Sequence, residues 1–111
     1  MRDKAIRIFN ELLDKCVRKA GSIGIAHRPP LRIMHMKKRW GSCTATGSII
    51  LNPELLAAPR DCIEYLILHE LCHLKVRNHT PEFYRKLHSV CPNWEALRLK
   101  LNQTVELSLE Y

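Results

Sequence analysis

The chain has 111 residues, enough for one domain around a single modest core over residues 1–111, and its five cysteines include no CxxC pair, which argues against a disulfide framework. Eighteen Lys and Arg against eleven Asp and Glu give a formal net charge of +7, which suits an anionic partner. Because no apolar run is long enough to span a bilayer and no secretory signal pattern opens the chain, we expect a soluble cytoplasmic protein that does not use a membrane.

The first predicted element is an amphipathic helix in residues 1–22 that runs from Asp3 to Ala20. Its apolar residues recur at steps of three and four, the spacing that places side chains on one face of a helix. Gly21 is expected to end it, because glycine readily adopts the left-handed conformation that follows many helices. The predicted apolar face consists of Ile6, Phe9, Leu13, Cys16, Val17 and Ala20.

Two strands are predicted after a Pro-Pro break. Residues 31–40 form an extended run with apolar residues and no helical spacing, and residues 48–51 form a shorter one. The intervening residues 41–47 are rich in Gly, Ser and Thr, which predicts a turn. We therefore expect the two strands to pair as an antiparallel hairpin.

The second half of the chain is predicted to be helical. A short helical turn opens after Asn52 and ends near Pro59. A longer helix follows, with Asp61 as its expected N-cap and Glu64 three residues later in capping-box spacing. Two further helices are expected to begin at Pro81 and Pro92.

An HExxH box, His69-Glu70-Leu71-Cys72-His73, lies in the longer of these helices. Its outer histidines are four residues apart, so both imidazoles project from one helix face and can bind one ion. With six histidines and eight glutamates in the chain, an accidental box has a probability of roughly two per cent. Neutral imidazole suits zinc, and Glu70 is placed to act as general base on water acidified by the ion. We therefore predict a site for one Zn²⁺ ion.

His79, six residues after the box, is the predicted third ligand, and its presence lowers the probability of coincidence to about one in a thousand. On a continuous helix it would lie about 15 Å further along the axis than His69, so the helix has to end before it. Asn78 tolerates the left-handed conformation that ends helices, and Thr80-Pro81 is typical of a new helix start. The chain is thus expected to turn back and bring His79 to the ion.

A basic run, Lys37-Lys38-Arg39, lies beside Trp40 and combines cationic with stacking groups. Such a pairing would suit nucleic acid. A solvated basic surface is the favoured interpretation, because the other charges are spread along the chain and no known nucleic-acid-binding motif occurs. Nucleic acid stays an open partner with only this run in its favour.

The motifs RWGSC at 39–43, HELCH at 69–73 and NHxxxF at 78–83 together resemble the YgjP-like metallopeptidase family, a relative of the SprT-like and other small zincin domains. The resemblance covers about residues 33–101. It implies an α+β, zincin-like core in which a small antiparallel sheet packs on the HExxH helix, and the predicted N-terminal and C-terminal helices would flank that core. It also implies His69, His73 and His79 as metal ligands and Glu70 as the catalytic carboxylate.

The leading functional hypothesis is zinc-dependent hydrolysis of a peptide bond in a peptide or protein substrate. Glu70 would take a proton from the activated water and later return it to the leaving amine. The strand ending at Arg39 and Trp40 could bind an extended substrate along its edge. Tyr84, His88 and Arg39 are candidate oxyanion donors by residue type alone.

Two alternatives remain open. One is a metal-dependent hydrolase of a nucleotide or another anionic small molecule, suggested by the net charge, although the sequence has no glycine-rich phosphate loop and no carboxylate cluster for magnesium. The other is a basic nucleic-acid-binding module with a structural zinc, although no well-spaced fourth ligand is present. None of the three hypotheses predicts an oligomeric state.

Overall fold

Helices make up most of the described chain. The computed structural model describes residues 2–104, so residue 1 and residues 105–111 of the predicted domain lie outside the described range. Within that range lie the α-helices α1 (Arg2–Lys19), α2 (Arg60–Cys72), α3 (Pro81–Val90) and α4 (Trp94–Thr104), the 3₁₀ helices Ala20–Ile23 and Pro53–Ala57, and the strands β1 (Leu31–Ile33), β2 (Gly41–Cys43) and β3 (Ile49–Leu51). This order confirms the predicted α+β class.

Helix α1 confirms the predicted amphipathic helix, but its end differs from the prediction. The backbone continues past Gly21 in a 3₁₀ helix, and Gly24, at φ 95°, donates its backbone N–H to the carbonyls of Ala20 and Gly21. The left-handed glycine that stops the helical segment therefore comes three residues later than predicted. Ile6, predicted on the buried face, is 40% exposed. The face that is buried consists of Ala5, Ile8, Phe9, Leu12, Leu13 and Cys16.

The sheet has three strands in the order β1-β3-β2 and is mixed, which corrects the expected antiparallel sheet. β1 runs parallel to β3, with Leu31 opposite Ile49, and β2 runs antiparallel to β3, with Ser42 opposite Ile50. The hairpin is therefore formed by β2 and β3. The prediction of one strand over 31–40 is wrong beyond Ile33, because the chain leaves the sheet there and crosses over to the opposite edge.

Gly41 explains why part of the predicted turn is a strand. A Cβ atom at this position would lie 3.1 Å from Leu66 Cδ2 of α2 and 3.2 Å from the Ile50 carbonyl oxygen. The glycine is therefore needed for the close approach of β2 to α2 and β3, and its φ is not in the left-handed region. In the sequence, a glycine beside Ser and Thr predicts a turn, and the packing reason becomes visible only in three dimensions.

Helix α2 runs through the centre of the molecule and is buried on most sides. From Cys62 to Cys72 only Glu64 is not buried, and α1, α3, α4 and β2 all contact the helix. The predicted cap is wrong, because the helix begins at Arg60 after Pro59 with no side chain capping it. Asp61 instead lies 3.3 Å from the Lys100 ammonium, and Glu64 lies 3.0 Å from that of Lys15. Both carboxylates thus join α2 to neighbouring helices.

All five cysteines are free thiols, as expected from their scattered positions. Four are buried and Cys43 is partly exposed. The core is therefore stabilised by apolar packing of the helices and the sheet, without covalent cross-links between cysteines.

Among the described helices, none is long and apolar enough to cross a membrane.

Candidate active site

Two segments of chain bring the predicted metal ligands together. Helix α2 carries His69 and Glu70 in its last turn and ends at Cys72, so that His73 is its C-cap residue. A non-helical loop follows, and the Thr80 hydroxyl accepts a hydrogen bond from the Phe83 N–H at 3.4 Å to start α3. The predicted helix break before His79 is confirmed.

The predicted left-handed residue in that loop is wrong. Among the described residues, only glycines have positive φ, so Asn78 does not adopt the left-handed conformation. The helix is instead closed by regular turns, in which the N–H groups of Leu74 and Val76 donate to the carbonyls of Leu71 and Cys72. The chain reverses direction without a special residue at its corner.

The three histidine side chains point their Nε2 atoms at one another. The distance from His79 Nε2 to His73 Nε2 is 3.1 Å, and that to His69 Nε2 is 3.3 Å. One ligand atom from each of the three lies within 4.8 Å of the others. A tetrahedral ion bound at about 2.0–2.1 Å requires nitrogens about 3.3 Å apart. The observed convergence therefore fits a single small cation.

The histidines are also held in the form that binds metals. His73 Nδ1 lies 3.2 Å from the Val76 carbonyl oxygen, which can only accept, so Nδ1 carries the proton and the Nε2 lone pair is directed at the other two rings. Burial lowers the pKa of His69 well below its ordinary value, and the neighbouring histidines and Arg98 lower it further. Burial likewise lowers the pKa of His73 and of His79. All three imidazoles are therefore neutral near pH 7.

Phe83 on α3 forms a wall against all three rings. Its ring centroid lies 4.5 Å from that of His73 and 5.0 Å from those of His69 and His79. The side chain is fully buried. Its place in the NHxxxF motif is visible in the sequence, but its contact with all three histidines is a finding of the structure.

A cleft of about 230 Å³ opens beside the histidines. Glu70, only 1% exposed, forms part of its wall, so the carboxylate lies at the cleft and is shielded from bulk solvent. The walls come from the end of α2, the loop that follows it, strand β2 and the residues just before β2. The lining residues are Arg39, Ser42, Cys43, Glu70, His73, Arg77 and His79.

The structure separates the four predicted substrate-binding residues. Arg39 lines the cleft. Trp40 is fully buried in the core, so its side chain is not available to a substrate. Tyr84 stacks on Trp94 at 5.0 Å, with its ring 6.2 Å from that of His79. His88 lines a separate surface depression that Tyr84 shares.

Arg77, which lines the cleft, and Asn52, which contacts a residue that lines it, have roles that the sequence did not indicate. Arg77 lies beside β2, and its Nη1 donates to the Cys43 carbonyl at 3.4 Å. Asn52 is fully buried, and its amide donates to the carbonyls of Met36 at 2.8 Å and Arg39 at 3.0 Å. The sequence predicts Asn52 only as the start of a short helical turn. Asn52 also has this role, because its Oδ1 accepts a hydrogen bond from the Glu54 N–H.

Comparison with known proteins assigns the chain to a family. Among the similar solved structures is the metallopeptidase zymogen abylysin of Pyrococcus abyssi, with a TM-score of 0.81 and 22% sequence identity; the match covers 91% of this chain and 98% of abylysin. Another is the metallopeptidase zymogen jannalysin of Methanocaldococcus jannaschii, with a TM-score of 0.66 and 26% identity; the match covers 89% of this chain and 94% of jannalysin. They have the same zincin-like fold. No curated protein matches the chain. The family model for the YgjP-like metallopeptidase domain matches residues 1–104, so it includes α1, and the chain belongs to the YgjP-like metallopeptidase family.

Proposed function

We propose that the protein is a zinc peptidase in which His69, His73 and His79 bind one zinc ion and Glu70 is the general base. Its family supplies the class, a metallopeptidase. The observation that carries the finer assignment is the convergence of three neutral histidines beside a cleft whose wall includes a buried carboxylate. Three protein ligands with one open side are typical of catalytic zinc sites.

A bound zinc ion supplies Lewis-acid chemistry, polarising the scissile carbonyl and making water more acidic. The chain's own residues supply the rest. Glu70 accepts the proton that the attacking water loses, and its shielded carboxylate then delivers that proton to the nitrogen of the leaving amine. The Val76 carbonyl and the Phe83 ring keep the imidazoles oriented throughout.

Strand β2 is the proposed support for an extended substrate. It pairs on one side with β3, through bonds such as Thr44 N–H to the Ser48 carbonyl and Asn52 N–H to the Trp40 carbonyl. By the alternation of an antiparallel ladder, the Cys43 carbonyl points to the opposite edge, which borders the cleft. An extended peptide can pair with such an edge. The sequence predicted this pairing at the strand end formed by Arg39 and Trp40, and we now propose it for β2.

Of the three candidate oxyanion donors, we propose Tyr84, because its ring lies 6.2 Å from that of His79. The position of His88 gives no support for contact with a substrate at the metal. The alternative of a structural zinc is disfavoured, since a closed structural site has four protein ligands. Within residues 2–104 the only group of potential ligands consists of the three histidines.

Two variants test the roles of the base and the third ligand separately. We expect Glu70→Gln to keep one zinc per chain while peptide hydrolysis falls about a thousandfold, because the amide cannot accept the proton. His79→Ala should lose zinc in dialysis against a weak chelator and lose hydrolysis with it. Metal content by atomic spectroscopy and cleavage of a peptide library are the measurements.

The matched control is His27→Ala, which removes an exposed histidine outside the cleft and should leave zinc content and hydrolysis unchanged. Parental hydrolysis by Glu70→Gln would refute the general base. Unchanged zinc binding by His79→Ala would refute the third ligand. If the zinc-loaded protein hydrolysed nucleotides and no peptide, the alternative of an anionic small-molecule substrate would replace the proposal.

A further inference from the structure

Two arginines line the same cleft as the proposed catalytic carboxylate, Glu70. Arg39 comes from the segment before β2, and Arg77 comes from the loop between α2 and α3. Within the part of the chain that the structure describes, neither guanidinium forms an ion pair. Glu70 is the one acidic residue lining the cleft, and its carboxylate is assigned to proton transfer. The cleft therefore offers two cationic groups that the proposed chemistry does not use.

Each arginine is held by a contact, Arg39 through its backbone carbonyl and Arg77 through its side chain. The buried amide of Asn52 holds the carbonyl of Arg39 at 3.0 Å, which fixes the point from which this side chain extends. The Arg77 side chain is directed into the cleft by its contact of 3.4 Å with the Cys43 carbonyl. A guanidinium whose side chain is already held in place loses less conformational entropy when a ligand binds.

The contact of Arg77 is weak enough to be exchanged. At 3.4 Å it is longer than a good N–H···O hydrogen bond, which measures about 2.9–3.0 Å. A carboxylate offers the guanidinium two charged acceptors and so a stronger partner than a peptide carbonyl. Release of the Cys43 carbonyl would also leave this acceptor on the edge of β2 open to pair with the backbone of a substrate.

We propose that Arg39 and Arg77 form a carboxylate-binding subsite, so that the enzyme selects peptides with a carboxylate close to the scissile bond. The inference rests on the proposed peptidase function and specifies its substrate class. Two sources provide the same chemistry, an Asp or Glu side chain and the free C-terminus of a peptide. Binding of the carboxylate both neutralises the guanidinium groups and frees the strand edge, which links recognition of the charge to alignment of the backbone.

The test measures binding to zinc-loaded Glu70→Gln, which does not turn its ligand over. The first set consists of fluorescein-labelled peptides with amidated C-termini, each with a single Glu at a different position of an otherwise neutral sequence. Fluorescence anisotropy compares the affinity of each peptide with that of the matching peptide in which Gln replaces Glu. A second set consists of neutral peptides truncated so that the free carboxylate ends at each of the same positions. Wild-type kcat/KM for the same peptides provides the cleavage readout.

We expect one position at which a carboxylate strengthens binding about tenfold, the size expected for charge-assisted hydrogen bonds from two guanidinium groups. Arg39→Gln and Arg77→Gln, each made in the Glu70→Gln background, should reduce this preference to within about twofold, and Arg77→Lys should retain part of it. Arg60→Gln is the matched control, since it removes an exposed arginine at the far end of α2 and should keep the full preference.

The set in which the preference occurs identifies the source of the carboxylate, and a preference in either set supports the subsite. Equal affinity of all peptides, or a preference that survives both arginine variants, would overturn it. Peptides cleaved by the wild type without charge preference would leave the peptidase standing and refute only the subsite. Absence of cleavage of every peptide would instead refute the proposed function.

Discussion

At the scale of single residues, the geometry of the candidate metal site depends on a side chain that is not a ligand. Phe83 contacts the rings of His69, His73 and His79 at once, from the first turn of α3. The Val76 carbonyl fixes the tautomer of one of these rings. The Phe83 ring is tilted by 30° against His73 and makes T-shaped contacts with His69 and His79, so it restricts the orientation of all three. Residues that orient ligands in this way affect metal affinity without touching the ion.

Replacement of Phe83 by leucine should weaken zinc binding about tenfold, because the aliphatic side chain no longer supports the three rings. The fold should survive with a loss of about 1–2 kcal/mol, since the substitution stays apolar and only partly changes the packed volume. Competition with a chromophoric chelator measures the zinc affinity, and urea denaturation measures the stability.

Phe9→Leu is the matched control for this variant. Phe9 is also fully buried, but it lies on α1 in the apolar core. It should lose a similar amount of stability and keep its zinc affinity. Equal zinc affinity in Phe83→Leu and the wild type would contradict the orienting role.

At the scale of secondary-structure elements, one buried side-chain amide connects the sheet, a 3₁₀ helix and the segment that contains the basic run Lys37-Lys38-Arg39. Asn52 follows β3, caps the 3₁₀ helix through the Glu54 N–H and holds the carbonyls of Met36 and Arg39. These bonds explain why residues 34–40 leave the sheet. Two carbonyls of this segment, those of Met36 and Arg39, have a side-chain partner, so these two groups do not need a strand partner.

We expect Asn52→Ala to lower the free energy of unfolding by about 3 kcal/mol, because it removes three hydrogen bonds at a fully buried position. The released segment contains Lys37, Lys38 and Arg39, so trypsin should cut the native variant there faster than it cuts the wild type. Urea denaturation and timed trypsin digestion followed by mass spectrometry are the measurements.

Asn102→Ala, which removes an exposed amide on α4, is the control and should change neither quantity. Trypsin cleavage at the wild-type rate in Asn52→Ala, together with an unchanged urea midpoint, would show that the amide does not hold the segment.

The same elements mark how far the sequence could predict the fold and the site. The helices and the break before His79 were predictable, because helical spacing and the Thr80-Pro81 start are local patterns. The strands have three residues each, too few for a repeating pattern, and their pairing depends on Asn52 and on the closeness of Gly41 to α2. The three histidines that come together were predictable from the HExxH box and from His79 six residues after it. The position of Arg77 at the cleft was not predictable, because it depends on the contact with the Cys43 carbonyl, and Cys43 lies 34 residues away in the sequence.

At the scale of the whole molecule, buried thiols lie at the junctions between helices. Cys16 of α1 donates to the Glu64 carbonyl of α2 at 3.7 Å, and Cys62 of α2 donates to the Leu97 carbonyl of α4 at 3.8 Å. Both thiols are fully buried. Burial raises the pKa of Cys16 to about 12 and that of Cys62 to about 11. The packing of α1 and α4 on α2 therefore favours neutral thiols.

These shifts predict a loss of stability in alkali. In the unfolded chain a cysteine ionises near its ordinary pKa of 9.0, whereas in the fold Cys16 stays neutral up to about pH 12. The stabilisation is thus fully present below pH 9.0, and it is lost progressively as the pH rises from there toward the folded pKa, since the unfolded state alone releases the proton. The raised pKa of the buried Tyr65 phenol acts in the same direction. We expect the urea midpoint to fall between pH 9 and pH 11.

Cys16→Ala isolates the contribution of one thiol. It should be less stable than the wild type at pH 8, because it leaves a small cavity, yet its stability should fall less steeply from pH 9 to pH 11, because one ionising group has been removed. Cys43→Ala, which removes the half-buried thiol at the cleft, should change this slope less. Urea titrations at each pH give the slopes, and identical slopes for Cys16→Ala and the wild type would exclude the buried thiol as a source of the alkaline instability.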